Sequence, residues 1–337
     1  MVNVITEGNL WKAQIARFES YDFYHTYDYH IISKKENEAP VLLVYKEDDK
    51  LIALPLLKRP IEGTEFFDFT SVYGYPGPLT KGLEEGFDNK NFVQALSEKF
   101  AELKIVSVFS RLHPYIKLQE SVLNGLGETP TIGKVVNIDL TQDVDVQRAQ
   151  YGKSTKNRTN KCRRLCTVKK AKNVEDIDTF IDIYYENMDR LSATKDYYFS
   201  REYFHNFLQC DDFDTDILLV VHNEDKLAVA ASMFVKTKNI IQFHLSGSKT
   251  DYLDIAPANL FLDEMRLRAT EEGYEIFNLG GGLGGREDSL FNFKASFSKD
   301  HRDFKVWKYI VDQRIYAELS KNIAGKYESA FFPLYRK

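Results

Sequence analysis

Short apolar runs separated by charged turns organise the first hundred residues, and the same rhythm returns after residue 210. The stretch VLLVYKEDDKLIALPL, beginning at Val41, reads as an apolar strand, a polar turn centred on Asp and Lys, and a second apolar strand. That pattern predicts a β-hairpin. ILLVVHNEDKLAVAAS, beginning at Ile217, aligns on it without gaps, and the same offset carries FDFTSVYG at Phe67 onto FHLSGSKT at Phe243. A third strand therefore corresponds in each half. Each third strand enters an irregular loop and then a helix: FVQALSEKFAELK from Phe92, and ANLFLDEMRLRATEEG from Ala258. In the second helix Ala258, Phe261, Leu262, Met265 and Ala269 recur at helical spacing and make one apolar stripe. Further strands follow both helices, IVSVFS from Ile105 and EIFNLG from Glu275.

The duplication predicts an α/β (α+β) chain of two tandem domains, residues 1–145 and 146–337, parted after the strand VVNIDL. With 337 residues, 43% of them hydrophobic, and 24 Phe and 20 Tyr, both halves have enough apolar material for a core. No run of about 18 uncharged apolar residues occurs, so no membrane span is expected. The opening MVNVITEGNLWKAQ lacks the order of a signal peptide, and a cytoplasmic location is the expectation. Cys162, Cys166 and Cys210 are odd in number and are read as reduced thiols. Cys162 and Cys166 have no His or second Cys pair beside them, and no His falls in an HExxH pattern, so no metal is expected.

Charge changes the picture in one place. The net charge is only −5, yet from Val146 to Val174 there is no Asp or Glu while Lys and Arg recur throughout. Such a segment suits phosphate groups, with Arg158, Arg163 and Arg164 as the direct contacts. The alternative is a solvated helix face joining two domains. A G-x-S-x-G elbow is absent, and no Cys has a reactive-looking context, which favours direct attack by an acceptor amine over a covalent intermediate.

Hairpin, third strand, loop, helix and strand is the order of the GNAT acyltransferase core, in which two neighbouring strands splay to admit a pantetheine-like arm. Two degenerate copies in one chain resemble the layout of the Fem family of peptidoglycan-bridge aminoacyltransferases, in a short form without the helical arm. NLGGGLGGREDSLFNFKASFS, Asn278 to Ser298, resembles the Fem-like signature of strand, Gly-rich turn, acidic residue and a helix bearing Phe-Lys. Leu290, Phe293, Lys294 and Phe297 fall at i, i+3, i+4 and i+7, which sets an ammonium on an apolar stripe. The resemblance implies that Lys294 stabilises the oxyanion formed when an amine attacks the donor carbonyl, with Phe293 shaping the pocket. A snorkelling lysine is the plain alternative.

Gly280, Gly281 and Gly282, with Asp288, would line the substrate cleft; a flexible turn capped by Asp288 is the competing structural reading. Gly280, Gly282 and Gly285 also satisfy G-x-G-x-x-G, but no further βαβ units follow to complete a dinucleotide fold. His244, on the third strand of the second half, is a candidate base or a satisfied core histidine. In the first half, aromatic-rich segments offer Tyr27, Lys34, Asp68 and Tyr73 as acceptor-site candidates, with aromatic packing as the alternative. The resemblance also implies that residues 312–337 pack back on the first domain.

The implied activity is N-acyl transfer, acyl or aminoacyl, to a small-molecule amine acceptor bearing phosphate: a cell-envelope or nucleotide-sugar precursor. Acyl-CoA or aminoacyl-tRNA would be the donor, with no permanently bound cofactor. The usual basic pyrophosphate loop before the helix is replaced by SKTDYLDIAPAN. Two alternatives stand beside this reading: tRNA-dependent aminoacyl transfer in peptidoglycan bridge formation, and a non-catalytic nucleic-acid or phosphate-binding module on the same fold.

Overall fold

A computed structural model describes residues 1–321 and 331–337. It divides into two compact units, one of residues 1–132 with 303–337, the other of residues 133–302. The first contains strands β1 (Val2–Ile5), β2 (Ala39–Glu47), β3 (Lys50–Pro60), β4 (Phe67–Thr70), β5 (Leu79–Lys81) and β6 (Ile105–Arg111). Its helices are α1 (Gly8–Ile15), α2 (Tyr27–Ser33), α3 (Lys90–Glu102) and α4 (Gln119–Leu123). β2 and β3 form the hairpin read from the sequence, closing at Glu47↔Lys50, and Asp48 in its turn adopts a φ of 51°. Phe92, Leu96 and Phe100 repeat along α3 and bury its inner face against Leu43, Ile52 and Phe69.

The second unit runs through β7 (Thr131–Asp139), α5 (Val144–Ala149), α6 (Lys153–Leu165), β8 (Cys166–Lys170), α7 (Val174–Arg190) and α8 (Arg201–Leu208). It continues with β9 (Asp214–His222), β10 (Ala228–Thr237), β11 (Ile240–Ser248), α9 (Pro257–Glu271), β12 (Ile276–Gly280) and α10 (Ser289–Ala295). β13 (Asp300–Ile310) and α11 (Gln313–Ser320) follow, and from Asp303 the chain belongs to the first unit again. Phe261, Leu262, Met265 and Ala269 of α9 pack on Leu218, Val220, Phe234 and Phe277 in the second core. Cys162 and Cys166 are buried free thiols in that core.

Pairing is the same in both units. β1, β2, β3 and β4 are successively antiparallel, β4 is parallel to β6, and β6 is antiparallel to β13. β8, β9, β10 and β11 are successively antiparallel, β11 is parallel to β12, and β12 is antiparallel to β7. The strand that flanks each parallel pair thus comes from the other half of the sequence. β13 serves the first unit and β7 the second.

This exchange moves the domain border. The segment VVNIDL, placed at the end of the first domain by the sequence reading, lies in the second unit, where Val136 and Ile138 are buried in its core. The division falls at 132/133 rather than 145/146, because β7 pairs with β12 from Val136↔Gly280 to Asp139↔Ile276. Of the segment 312–337, α11 packs Ile315 against Ile61 and Val106, and Tyr335 and Arg336 reach Asp68. Residues 322–330 of that segment lie outside the described residues.

Candidate active site

β11 and β12 stay paired only from Ile240↔Ile276 to Gln242↔Asn278, although β11 continues to Ser248. At the last paired step Asn278 Nδ2 donates to Gln242 Oε1 at 2.8 Å, and Asn278 Oδ1 accepts from Gly280 N at 3.0 Å. Beyond that step the two strands diverge. Backbone groups of β11 that face the gap lose the strand partner that sheet formation would supply, which opens them to a ligand. On its other side β11 carries a β-bulge, since Met233 opposes Leu245 and Phe234 opposes Phe243.

The glycine turn follows β12 directly. Gly280 has a φ of 74°, a left-handed conformation that a side chain would strain. A Cβ at Gly282 would meet Arg286 O at 2.1 Å and Asp288 Oδ1 at 2.4 Å, so the turn can close only on a bare backbone. Asp288 then caps α10: its carboxylate accepts from Phe291 N at 2.9 Å and from Leu283 N at 3.0 Å. Those backbone N–H groups hold the Asp288 carboxyl below its ordinary range. Both oxygens are thereby engaged in shaping the turn, and the expected role of Asp288 in the cleft gives way to a cap. A dinucleotide reading of the glycines also falls, because β12 has an antiparallel neighbour in β7 rather than a second parallel strand.

α10 is seven residues long and turns Phe291, Lys294 and, just past its end, Phe297 toward the second core. The stripe expected through Leu290 is shifted by one position, for Leu290 is 45% exposed and Phe291 takes its place. Lys294 retains only 8% exposure. Its ammonium donates to Gly281 O at 2.7 Å and stands 5.7 Å from the centroid of the Phe243 ring. Gly281 follows β12, and Phe243 is the first β11 residue beyond the paired region. The ammonium therefore spans the two strands where they separate. Among the described residues no carboxylate oxygen lies within ion-pair distance of it. Burial pushes Lys294 down to about 8, with Asp288 opposing the shift.

Phe293 is half-buried against the second core and meets Phe297 edge-on at 5.4 Å. His244 points elsewhere. It is the extra residue of the bulge, its ring stacks on Phe207 of α8 at 5.2 Å, and burial lowers it to about 4. So low a value leaves little basicity for a proton-abstracting role, and the ring contacts of Phe243 and His244 lie on different elements.

Residues 218–300 match the model of the FemAB family, a span that includes β11, the glycine turn and Lys294. The crystal structure of FemX aligns over 94% of this chain and 99% of its own, with a TM-score of 0.71 at 12% identity. The chain has the fold of FemX. L-PGS from Bacillus licheniformis aligns over 96% of this chain and 98% of its own, with a TM-score of 0.56 at 13% identity. The C-terminal domain (DUF2156) of a putative lysylphosphatidylglycerol synthetase from Agrobacterium fabrum gives 0.56 at 13% identity, over 90% and 92%. At such identities the common property is the fold. No curated protein matches the sequence.

The basic segment runs through α5, α6 and β8, and its charges are not all available. Arg163 bonds Asp263 at 2.8 Å and lies 3.5 Å from Glu264, and Arg148 bonds Asp263 at 2.9 Å. Lys169 pairs with Asp176 and Lys170 with Asp216. Arg163 is thus corrected from a phosphate contact to an ion-pair partner, whereas Arg158 and Arg164 are exposed with no carboxylate partner among the described residues. Replacing Arg158 and Arg164 together with Gln should leave the melting temperature unchanged and reduce the salt slope of any polyanion binding by about 2. Arg163→Gln should instead lower the melting temperature; equal effects of the two variants on both quantities would undo the division.

The first unit holds the other candidates. Asp68 is fully buried and occupied by Arg59 at 2.7 Å, Arg336 at 2.9 Å and the Tyr335 hydroxyl at 3.1 Å. It anchors the terminal residues to β4 and is not an open acceptor contact. Tyr27 packs edge-on against Trp11 at 5.8 Å, while Lys34 closes α2. Tyr73 is 66% exposed, its carbonyl accepting from the Tyr29 hydroxyl at 3.0 Å. Sequence reading missed Gln242, Asn278 and Phe243. Phe243 sits in the repeated third strand, but only pairing shows that the strands part beside it.

Proposed function

We propose that this protein is an N-acyltransferase of Fem type that moves an acyl or aminoacyl group onto an amine of a phosphate-bearing precursor of the cell envelope. The observation that carries the reading is the buried, carboxylate-free ammonium of Lys294 between the parting strands β11 and β12. The acceptor nitrogen attacks the donor carbonyl carbon, and the carbonyl oxygen becomes an oxyanion that a preorganised ammonium can meet. Collapse forms the amide and expels the donor's thiol or ribose hydroxyl, which takes up a proton while the amine gives one up. Phe243 and Phe293 would keep water from the centre, strengthening the ammonium's field.

The donor is better matched by aminoacyl-tRNA than by CoA held in the ordinary GNAT manner. Ahead of α9 stands a 3-10 turn, Thr250–Ile255, carrying Asp251 and Asp254, and Asn259 N is already bonded to Ala256 O at 3.0 Å. Acidic residues at a helix N-terminus disfavour a pyrophosphate there. Thermal shift against acetyl-CoA, a UDP-sugar and bulk tRNA tests the choice, since a ligand that binds only the folded chain raises the melting temperature. A shift with acetyl-CoA alone would reverse the donor assignment.

Acidity supplies a second test. If the charged form of Lys294 meets the oxyanion, kcat should fall as pH rises through about 8. Were the neutral amine a general base, activity would climb through the same range, and a climbing limb assigned to the enzyme would remove the oxyanion role.

A further inference from the structure

The first unit has its own point where parallel strands part. β4 and β6 pair from Phe67↔Ile105 to Phe69↔Val108, and just beyond that pairing lie Ser71 on one chain segment and Arg111 on the other. Arg111 ends β6, and its carbonyl accepts from Gly77 N at 2.9 Å, which fixes the backbone from which the side chain extends. Its guanidinium carries five donor N–H groups, yet its hydrogen-bond partner among the described residues is Ser71 Oγ, at the long distance of 3.5 Å. The rest of its surroundings are aromatic: the Tyr73 ring centroid at 5.7 Å and that of Phe109 at 5.2 Å.

Two buried-facing arginines of this unit are treated differently. Arg59 and Arg336 share the buried carboxylate of Asp68. Arg111 has no carboxylate within ion-pair distance among the described residues, and burial pulls it below its ordinary value, though a guanidinium stays charged at any working pH. Stacking on aromatic faces compensates part of the desolvation, but leaves the in-plane N–H fork with Ser71 Oγ alone, at 3.5 Å, as its acceptor among the described residues. Tyr73, 66% exposed, stands at the outer side of this cluster and leaves it reachable from solvent.

We infer that Arg111, with Ser71 and the Tyr73 ring, forms an oxyanion-binding site in the first unit that takes the carboxylate or phosphate group of a ligand. The fork matches either group bidentately, and Ser71 adds a hydroxyl donor on the same side. Arginine cannot release its proton, so the site binds and does not repeat the proposed chemistry of Lys294. It stands whether or not the Lys294 reading holds.

The test uses the full chain and two probes, inorganic phosphate and N-acetylglycine. The rate at which phenylglyoxal modifies Arg111 is followed by mass spectrometry, with exposed Arg314 as internal control. Either probe should slow modification at Arg111 several-fold and leave Arg314 unaffected; protection by one probe alone identifies a phosphate or a carboxylate as the group. Arg111→Met should abolish the melting-temperature rise given by the protective probe, and Arg111→Lys should keep only part of it. Lys294→Met should retain both responses, which separates this site from the catalytic proposal. Absence of protection by both probes, or an unchanged thermal response in Arg111→Met, overturns the inference. Should Arg111→Met fail to fold, protection of the unsubstituted chain decides.

Discussion

Lys294→Met is expected to lower kcat by about a hundredfold or more while raising the melting temperature at pH 7. The first effect follows from removing a charged donor aimed where negative charge develops, a change that typically costs 10²–10³ in rate. The second follows from burial. Lys294 falls from 10.5 to about 8 on folding, so keeping it charged at neutral pH costs the fold on the order of 3 kcal/mol. That cost is full below about 8 and shrinks as pH rises toward 10.5, because the lysine is then neutral in the folded chain and still charged in the unfolded one. Methionine has a similar length and no charge. It gives up the bond to Gly281 O, worth roughly 1 kcal/mol, and removes the larger penalty. The net gain of about 1–2 kcal/mol should appear as a rise of a few degrees. A lysine that merely covers apolar surface with its head in water would show neither effect. Unchanged turnover in Lys294→Met removes the catalytic assignment, and a fall in melting temperature with turnover lost would point to a structural lysine.

Much of the second unit was legible because its signals are local. The hairpin at Ile217 and the helix from Ala258 each carry their own period, and both fold as read. Lys294 was legible for the same reason, as a charge out of place on an apolar helix. Its neighbours were not. Leu290 and Phe291 are both apolar and adjacent, and in a helix that ends at Ala295 only the Asp288 cap decides which of them turns inward. The exchange of β7 and β13 was hidden for a different reason: alternation marks VVNIDL as a strand and says nothing of its partner. Asp68 looked available because one of its two ion-pair partners, Arg336, lies 268 residues away and the other, Arg59, meets it only through the pairing of β3 with β4. The basic segment misled in the same way, since the acids that answer it are not within it.

Those acids carry the remaining prediction: Asp263→Ala should be the most destabilising single change in the second unit. Asp263 is 1% exposed and accepts from Tyr151 Oη at 2.9 Å and Arg266 Nη2 at 3.0 Å through one oxygen. Its other oxygen takes Arg148 at 2.9 Å and Arg163 at 2.8 Å. Burial alone would raise this carboxyl, but Arg266, Arg148 and Tyr151 more than offset it and leave it below the ordinary range. Its contribution is therefore present at neutral pH and lost as pH falls through that lowered value. Removing the carboxylate strands Arg266, itself 1% exposed, as a buried charge with no counter-charge, left to the neutral acceptors Tyr151 Oη, Val144 O and Gln147 Oε1. Breaking one partner from a buried pair costs about 3–5 kcal/mol, which corresponds to a fall in melting temperature of roughly 6–20 °C. The double replacement Asp263→Leu with Arg266→Met should recover most of that loss, because no charge is then left alone in the core. Asp263→Ala also frees Arg148 and Arg163, so any polyanion binding should gain salt sensitivity as stability drops. A melting temperature within a degree of the unsubstituted chain would mean that the network contributes little. The cations of α6 would then be held by solvent rather than by α9.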